Sequence, residues 1–315
     1  MKHGFSVAGW CGVLMVAVGI GAQAQPVSGS ETPAVGAIDY GPMRVAGRLG
    51  DPRVNESSGL ALSHANSDAA AHFWTHNDSG DTPRLFLMTA NGVVVHEIRL
   101  DVPRAIDWED MCSFVHDGVP YLLVGDVGDN EHRRRRVTLW LLRDPAWAAG
   151  QTDGTPQTVP AVRKIDFTYA DGPQDCESIA FDPTSNTVVI VTKILPQRTT
   201  TIDTAGVYLL PLPEADTDDA VVLERVADLP LRITVGMDIS PDGRRAVVAT
   251  YGDGWEFARG DGDTWADAFA RPPRQIALGP RGQSEAVAYG PDGATLYFTA
   301  EGEKKPVWKV APQRK

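Results

Sequence analysis

The chain has 315 residues, of which 41 are acidic and 29 are lysine or arginine, and its formal net charge is −12. Such an acidic surface repels phosphate backbones, so nucleic acid is not expected as a partner. The length allows one large β domain or two ordinary domains, and the internal repeat described below favours one.

The first 24 residues have the form of a secretory signal peptide. Lys2 and His3 precede an apolar run over residues 5–20, and Ala22-Gln23-Ala24 has the small-x-small form of a cleavage site. A single-pass anchor is the alternative, but an apolar run of about 16 residues falls short of the roughly 20 needed to span a bilayer. We therefore expect an exported chain, periplasmic or extracellular, with no membrane span after cleavage.

Two further segments follow the predicted cleavage site. Residues 25–39 are small and polar with proline and glycine, so they are predicted to be a flexible leader. Residues 40–315 are predicted to form a single domain, and nothing in the pattern calls for more than one copy, so we expect a monomer.

The first strand-like run of the domain, residues 43–49, precedes an internal repeat. Each copy has an opening of small and apolar residues, a turn, and a β-branched or aromatic run. The openings begin at Ser58, Glu109, Glu177, Val235 and Glu285, with spacings of 51, 68, 58 and 50 residues. This period suits four-stranded propeller blades, so the sequence predicts an all-β, five-bladed β-propeller, with six blades as the alternative.

The predicted strands follow the repeats in chain order. Blade one takes residues 59–62, 73–76, 84–88 and 93–99, and blade two takes 110–114, 121–124, 137–142 and 163–169, with a loose loop over 144–160. Blade three takes 178–181, 187–192, 207–211 and 221–229, and blade four takes 236–239, 246–251, 255–258 and 275–278. No segment has a sustained 3.6-residue apolar period, so almost no helix is expected.

The last repeat supplies only three strands before the chain ends. Residues 43–49 are therefore predicted to provide its fourth strand and to close the ring, which leaves no open edge between the first and last blades.

Cys112 and Cys176 are predicted to be free, buried thiols although export would permit a disulfide. Cys112 follows Glu109 by three residues, whereas Cys176 precedes Glu177 by one. If the two glutamates are level on neighbouring strands, the cysteines lie about 13 Å apart at ~3.3 Å per residue. A disulfide requires Cα atoms within about 7 Å.

In a propeller, the start of each blade's innermost strand and the end of its second strand share one rim of the central channel. The repeat places mostly polar residues at those positions. The strand starts are Glu56 or Ser58, Glu109, Glu177, Val235 and Glu285. The strand ends are His76-Asn77-Asp78, Asp126, Lys193, Tyr251 and Glu301. We therefore expect an acidic mouth at one end of the channel.

Clustered carboxylates cannot all stay ionised without protons or a cation among them. Carboxylate and amide oxygens, with no cysteine and one histidine nearby, favour a hard cation, calcium first and magnesium second. The candidate metal ligands are Glu56, Asn77, Glu109, Asp126, Glu177 and Glu285. Such an ion is catalytic in one interpretation and purely structural in the other.

The remaining polar residues of the rim are candidates for chemistry and for substrate binding. His76 or Asp78 is predicted to handle a proton, and Lys193 to face developing negative charge. The candidate substrate contacts at the mouth are Trp108, Asp129, Asn130, Tyr251 and Glu301. The basic run over residues 133–136 is either a locally neutralised loop or an anion clamp.

Several stretches together resemble a large group of mostly uncharacterised, exported bacterial β-propeller proteins. They are Glu56-Ser-Ser-Gly, Thr75-His-Asn-Asp-Ser-Gly-Asp81, Asp107-Trp-Glu-Asp110, Gly125-Asp-Val-Gly-Asp-Asn130, Asp238-Ile-Ser-Pro-Asp-Gly243 and Ser284-Glu-Ala-Val-Ala288. The resemblance covers nearly the whole chain after residue 24, and it implies fold and export.

More distantly, the openings at Glu109, Glu177 and Glu285 look like those of esterase-like phytase and gluconolactonase/paraoxonase propellers, with Val235 as the departure. That resemblance implies a calcium ion held by Glu, Asn and Asp at the channel, and hydrolysis of an ester, lactone or phosphoester. The alternative is a non-catalytic propeller that binds a carbohydrate, a peptide or an envelope protein on the same face.

Overall fold

The computed structural model describes residues 38–67, 70–148, 156–195, 204–217 and 219–313. The predicted signal peptide and all but the last two residues of the leader lie outside the described residues. The described part is almost entirely β, and its one helix, α1 (Trp265–Phe269), is far too short to cross a bilayer.

The strands form five mainly antiparallel sheets in chain order, and β1 (Arg44–Arg48) joins the last of them. Blade one contains β2 (Ser57–Leu62), β3 (His72–Asn77), β4 (Arg84–Thr89) and β5 (Val94–Asp101). Blade two contains β6 (Trp108–His116), β7 (Val119–Asp126), β8 (Val137–Arg143) and, beyond β9 (Gln157–Pro160), β10 (Arg163–Tyr169). Blade three contains β11 (Cys176–Asp182), β12 (Thr187–Thr192), β13 (Ala205–Pro211) and, beyond β14 (Val221–Leu223), β15 (Arg225–Leu229). Blade four contains β16 (Thr234–Ile239), β17 (Arg245–Thr250), β18 (Gly254–Ala258) and β19 (Arg274–Ile276), and blade five contains β20 (Ala286–Tyr289), β21 (Leu296–Thr299) and β22 (Pro306–Val310).

The innermost strands β2, β6, β11, β16 and β20 each pack against their two neighbours around a central channel. The prediction of a five-bladed propeller is confirmed, and the six-bladed alternative is wrong. Helix α1, which was not predicted, is one short turn held by a capping box in which Thr264 and Asp267 exchange hydrogen bonds.

The core consists of five apolar clusters, each between two neighbouring blades. Because blades bury both faces of their strands, strands such as β11 and β12 have no exposed residue, which explains the unbroken apolar run from Val188 to Val191. Burying each Leu or Phe side chain contributes roughly 1.5–3 kcal/mol. Packing between blades therefore holds the ring together and fixes the positions of its rims.

Two outer strands differ from the sequence prediction. The interval 144–160, predicted as a loop, contains β9, which pairs in parallel with β5 of blade one. The single strand predicted over 221–229 is two strands, because β14 pairs in parallel with β10 of blade two while β15 stays in blade three. Both additions cover an outer edge of a neighbouring blade, and edge covering leaves little trace in the local sequence pattern.

The predicted closure of the ring by the N-terminal strand is confirmed. Strand β1 pairs antiparallel with β22, and Tyr40 forms a further bridge to Pro312. The Tyr40 hydroxyl also donates a hydrogen bond of 2.7 Å to Glu256 of blade four. Gly47 lets β1 pass close to the β4–β5 turn, because a Cβ there would lie 1.9 Å from the Asn91 carbonyl oxygen.

Removing residues 40–50 is expected to expose the edge of β22 and to cause aggregation, because an unpaired strand edge is a template for association. The deletion also removes Leu49, which is fully buried. Light scattering and gel filtration of the truncated protein measure the effect. Deleting residues 25–38 is the control and should leave the protein soluble; equal solubility of the two truncations would contradict the closure role of β1.

The prediction of two free, buried thiols is confirmed for Cys112 and Cys176. Burial raises the pKa of both thiols above the ordinary value. They are therefore inert core residues rather than nucleophiles.

Candidate functional site

Equivalent positions of the five blades meet at one end of the channel, which we call the mouth. In each blade the first residue of the innermost strand pairs with the end of the second strand: Ser57 with Asn77, Trp108 with Asp126, Cys176 with Thr192, Thr234 with Thr250, and Ala286 with Thr299. The geometry of the rim is the one that the repeat predicts.

A one-residue β-bulge at the start of the innermost strand turns side chains towards the mouth. In blade two the register shifts between Trp108 and Asp110, so Glu109 is the extra residue, and a similar shift in blade three includes Glu177. Such a bulge turns one side chain away from the normal alternation. The neighbouring Asp110 points instead into the channel, where it accepts backbone N–H bonds from Met111, Ile179 and Met237.

Two overlapping groups of carboxylates lie at the mouth, and together we call them the acidic cluster: Asp78, Asp107, Glu109, Asp175 and Glu177. One oxygen each from Asp78, Asp107 and Glu109 lie within 4.8 Å of one another. The same is true of Glu109, Asp175 and Glu177. Glu109 belongs to both groups and is therefore the centre of the cluster.

The acidic cluster is electrostatically unfavourable in the absence of a cation. Glu109 is only 3% exposed, and among the described residues no donor bonds to its carboxylate. Burial, followed by the proximity of Glu177, raises the pKa of Glu109 well above its ordinary value. Burial also raises the pKa of Asp78 to about 6, and Asp107 adds more to the shift than any other carboxylate. Protons or a cation must balance these charges.

Lys193 contributes one positive charge to the mouth. Its Nζ donates a hydrogen bond to Glu177 Oε1 in a buried ion pair, and Glu177 Oε2 has no partner among the described residues. Burial opposes the charge on Lys193, but the Glu177 carboxylate holds the pKa of Lys193 above its ordinary value. Burial raises the pKa of Glu177, and Lys193 offsets only part of that shift. One oxygen of this pair therefore remains available to a ligand.

A second pair of carboxyl groups lies on the blade-five side of the mouth. The Tyr251 hydroxyl donates a hydrogen bond of 2.8 Å to Glu285 Oε1. Burial, followed by its hydrogen bond to Glu285, raises the pKa of Glu301 to about 9, so Glu301 carries a proton at neutral pH. Glu56 is exposed, and its backbone bridges to Glu301. Glu285 and Glu301 thus share a proton that Tyr251 helps to position.

The stability of the cation-free protein is expected to fall as the pH rises from 6.5 to 9. Over this range the folded state holds protons on groups such as Glu301 that the unfolded state has already released, so the free energy of unfolding decreases with pH. His76 does not affect this pH range. Its pKa is lowered by burial, so it makes the free energy of unfolding rise with pH, but only below pH 6.5. Urea unfolding at pH 6.5, 7.5 and 9 measures the slope, which Glu301→Gln should reduce; a slope of opposite sign would contradict the proton sharing.

The donor set of the acidic cluster suits a hard divalent cation. It consists of carboxylate oxygens alone, the ligand type that calcium and magnesium prefer. The unpartnered Glu177 Oε2 and the Glu109 carboxylate, which has no hydrogen-bond donor among the described residues, are oxygens that an ion would satisfy. The residues present therefore fit such an ion.

Two of the predicted ligands already have protein partners. Asn77 Oδ1 accepts backbone N–H bonds from Asn55 and Glu56. Asp126, its equivalent in blade two, accepts N–H bonds from Ile106 and Asp107 and an ion pair from Arg134. The side chains of Asn77 and Asp126 thus hold the segments that lead into the innermost strands.

The side chains of the other candidates make their contacts outside the acidic cluster, although the Asp129 backbone N–H donates a hydrogen bond to Asp175. His76 is fully buried, with Nδ1 at 2.9 Å from the Asn77 carbonyl oxygen, and its ring lies edge-on to Trp108, which is 1% exposed. Burial lowers the pKa of His76 to about 4. Asp129 caps the basic run by accepting the N–H groups of Arg133 and Arg134, and Asn130 is exposed beside it.

Three of the four arginines in the basic run have acidic partners. Arg133 pairs with Glu131 at 2.7 Å, Arg134 with Asp126 at 2.7 Å and Arg136 with Asp166 at 3.1 Å. These contacts favour the neutralised loop over the anion clamp.

Two residues of the acidic cluster, Asp107 and Asp175, are absent from the ligand set predicted from the sequence. Each precedes its glutamate by two positions, so Asp-x-Glu occurs in both blade two and blade three. The backbone carbonyls of Asp107 and Asp175 also accept hydrogen bonds from the ends of the second strands, as Glu56 and Gln283 do in blades one and five. A repeat that begins two residues before each predicted opening includes Asp107 and Asp175.

Comparisons with known proteins give only distant likenesses. No known protein family matches the sequence, and no curated protein matches it. A solved gluconolactonase from Xanthomonas campestris is 14% identical, with 89% of this chain and 99% of that chain covered and a TM-score of 0.44. A calcium structure of a family AA12 carbohydrate-active enzyme from Trichoderma reesei is 9% identical, with 88% and 98% covered and a TM-score of 0.47.

A PQQ-bound aldose sugar dehydrogenase from Streptomyces coelicolor is 10% identical, with 86% and 98% covered and a TM-score of 0.42. A gluconolactonase is thus among the solved structures that this chain is similar to, in line with the distant resemblance seen in the sequence. At these identities and TM-scores the likeness assigns no activity. The resemblance to exported bacterial propellers stays a prediction.

Proposed function

We propose that the mouth holds a divalent cation, calcium before magnesium, and that the protein is a cation-dependent hydrolase of a small ester, lactone or phosphoester. The observation that carries the proposal is the position of Glu109, whose carboxylate belongs to two groups of carboxylates and has no hydrogen-bond donor among the described residues. A buried, unpaired carboxylate beside others costs stability unless a cation or a proton neutralises it.

Three residues of the acidic cluster would hold the ion: Glu109, Asp175 and Glu177, whose carboxylate oxygens lie within 4.8 Å of one another. A bound calcium ion supplies a Lewis acid that polarises a carbonyl or phosphoryl oxygen and lowers the pKa of water. Of the ligands predicted from the sequence, Glu109 and Glu177 stay in this set, and Asn77, Asp126, Glu56 and Glu285 do not.

The remaining polar residues of the mouth supply a proton acceptor and a proton donor for hydrolysis. Asp78, which lies beside Asp107 and Glu109, accepts a proton from the attacking water. Glu301, whose pKa is raised by burial and by its hydrogen bond to Glu285, gives its proton to the leaving oxygen as the bond to the acyl or phosphoryl group breaks. Lys193 Nζ lies at the same mouth and stabilises the negative charge that develops on the substrate.

Turnover of a panel of aryl esters, small lactones and aryl phosphates tests this proposal. Activity should disappear with a chelator and return with calcium, and Glu301→Gln should lower the rate without lowering calcium affinity. If the purified protein shows neither bound metal nor a thermal shift in millimolar calcium, the cation and the hydrolase are both wrong. If calcium binds and no substrate is turned over, the ion is structural and the mouth is a binding site for a glycan, peptide or envelope protein.

We also propose, from the sequence, that the protein is exported and acts as a monomer on a small-molecule or glycan ligand. Cell fractionation tests export, and sedimentation of the purified chain tests the monomer.

A further inference from the structure

A cavity lies at the end of the channel opposite the mouth. It is lined by the far ends of the innermost strands, so every blade contributes to it, with Leu62, Phe114, Phe181, Asp238 and Tyr289 as examples. Its volume is about 150 Å³. A cavity of about that size with apolar walls accepts a molecule as large as benzene.

Asp238 is the one acidic residue among those that line this cavity, and no cationic side chain in the described part of the chain pairs with it. Its two carboxylate oxygens accept backbone N–H bonds of 2.8 Å each, from Ile239 and from Tyr289. Among the described residues, no side chain donates to it. A carboxylate has room for about four donors, so acceptor capacity remains.

The surroundings of Asp238 provide no compensating positive charge. The lining of the cavity contains no lysine or arginine, and its other titratable residues are His64 and Tyr289. Burial lowers the pKa of His64, so the imidazole is neutral at neutral pH. Asp110, held by three backbone N–H groups deeper in the channel, adds a second acidic group rather than a cation.

We propose that this cavity is a second ligand site, specific for a small organic monocation with one primary ammonium group and a short apolar body. The Asp238 carboxylate would accept the ammonium hydrogens, and the Leu62, Phe114 and Phe181 side chains would enclose the apolar body. An aromatic face also attracts a cation, which adds to the preference for positive charge. The acidic cluster plays no part in this site, so the proposal does not depend on the proposed hydrolase.

Three probes of one shape and different charge test the proposal: n-butylammonium, n-butanol and butyrate, titrated by ligand-observed NMR at about pH 8.5. At this pH Asp238 is ionised, since burial raises its pKa to about 7, and butylammonium is still a cation. Butylammonium should bind at least about tenfold more tightly than butanol, and butyrate should not bind, because only the cation complements the carboxylate. Asp238→Asn should weaken butylammonium binding at least about tenfold. Nuclear Overhauser contacts between the butyl chain and the Phe181 ring should locate the ligand.

Three further variants keep the result interpretable. Asp242→Asn removes the same charge from the exposed turn after β16 and should leave binding unchanged. Glu109→Gln should also leave binding unchanged, which excludes the mouth as the site. Val115 is 46% exposed and lines the cavity, so Val115→Trp covers the entrance without touching the Asp238 hydrogen bonds and should abolish binding. Equal binding of butylammonium and butanol, or full binding by Asp238→Asn or Val115→Trp, would overturn the proposal.

Discussion

Glu109→Gln is expected to lower the affinity of the mouth for calcium by about 100-fold or more and to remove any hydrolase activity. The substitution keeps the shape of the side chain and removes one charge from the centre of both carboxylate groups. A unit charge about 4 Å from another contributes on the order of 4 kcal/mol at an effective dielectric constant near 20, so the loss of one ligand charge is a large effect. Isothermal titration with calcium and turnover assays measure the two losses.

The stability of the same variant separates this mechanism from simple misfolding. Without calcium, Glu109→Gln should be more stable than the wild type, because it removes a buried carboxylate whose neighbours repel it. With calcium at 100 times the wild-type Kd, the wild type should gain about 2.7 kcal/mol and the variant far less. The variant is thus expected to be more stable than the wild type without calcium and less stable with calcium. General damage to the fold would lower its stability in both conditions.

Glu131→Gln is the matched control for this experiment. Glu131 is exposed and pairs with Arg133 in the loop after β7, so the variant loses the same charge away from the acidic cluster. It should bind calcium as the wild type does. A Glu109→Gln protein with unchanged calcium affinity would show that the ion, if bound, lies elsewhere.

The fold was predictable from the sequence because a propeller repeats one local pattern. The β-branched run of β12 and the turn residues after each innermost strand are local signals, and the shortage of one strand in the last repeat indicated closure by β1. Strands β9 and β14 escaped prediction because they join the sheet of a different blade. Their pairing depends on the outer edges of neighbouring blades rather than on their own residues.

The site was predictable only in part. Spacing alone identified Glu109 and Glu177, because the bulges that turn them inward recur at equivalent positions. It did not show that Asp107 and Asp175 join the cluster while Asn77 and Asp126 stay outside it, although the Asp175 carboxylate also holds backbone by accepting the Asp129 N–H. Asn77 and Asp126 end second strands and bond to the segments before the innermost strands, whereas Asp107 and Asp175 belong to those segments, and the spacing of the residues does not reveal this difference.

Blade four explains why the mouth is asymmetric. Ile233 and Val235 occupy the positions of Asp107 and Glu109, so this side of the mouth is apolar. Asp238, the nearest acidic residue on β16, lies at the far end of the channel and does not replace a missing ligand at the mouth. Four of the five carboxyl groups of the acidic cluster therefore belong to blades two and three, and Lys193 belongs to blade three.

Lys193→Met is expected to destabilise the cation-free protein by about 3 kcal/mol at pH 8, because it leaves the buried Glu177 without its partner. The loss should be smaller at pH 6, where Glu177, whose pKa is raised by burial, takes up a proton instead. The double variant Lys193→Met with Glu177→Gln should recover most of the stability, since no unpaired charge remains. Urea unfolding of the wild type, Lys193→Met, Glu177→Gln and the double variant measures the coupling free energy between the two side chains.

The effect of calcium on Lys193→Met relates the Lys193–Glu177 ion pair to turnover. A bound cation replaces the missing lysine charge, so calcium should stabilise Lys193→Met more than it stabilises the wild type, while turnover stays low because no ammonium faces the substrate. Lys164→Met is the control: it breaks an ion pair with Asp166 whose lysine is 45% exposed, and it should cost less than about 1 kcal/mol. If Lys193→Met is as stable as the wild type at pH 8 without calcium, Glu177 is not held ionised by Lys193. The charge balance proposed for the acidic cluster would then be wrong.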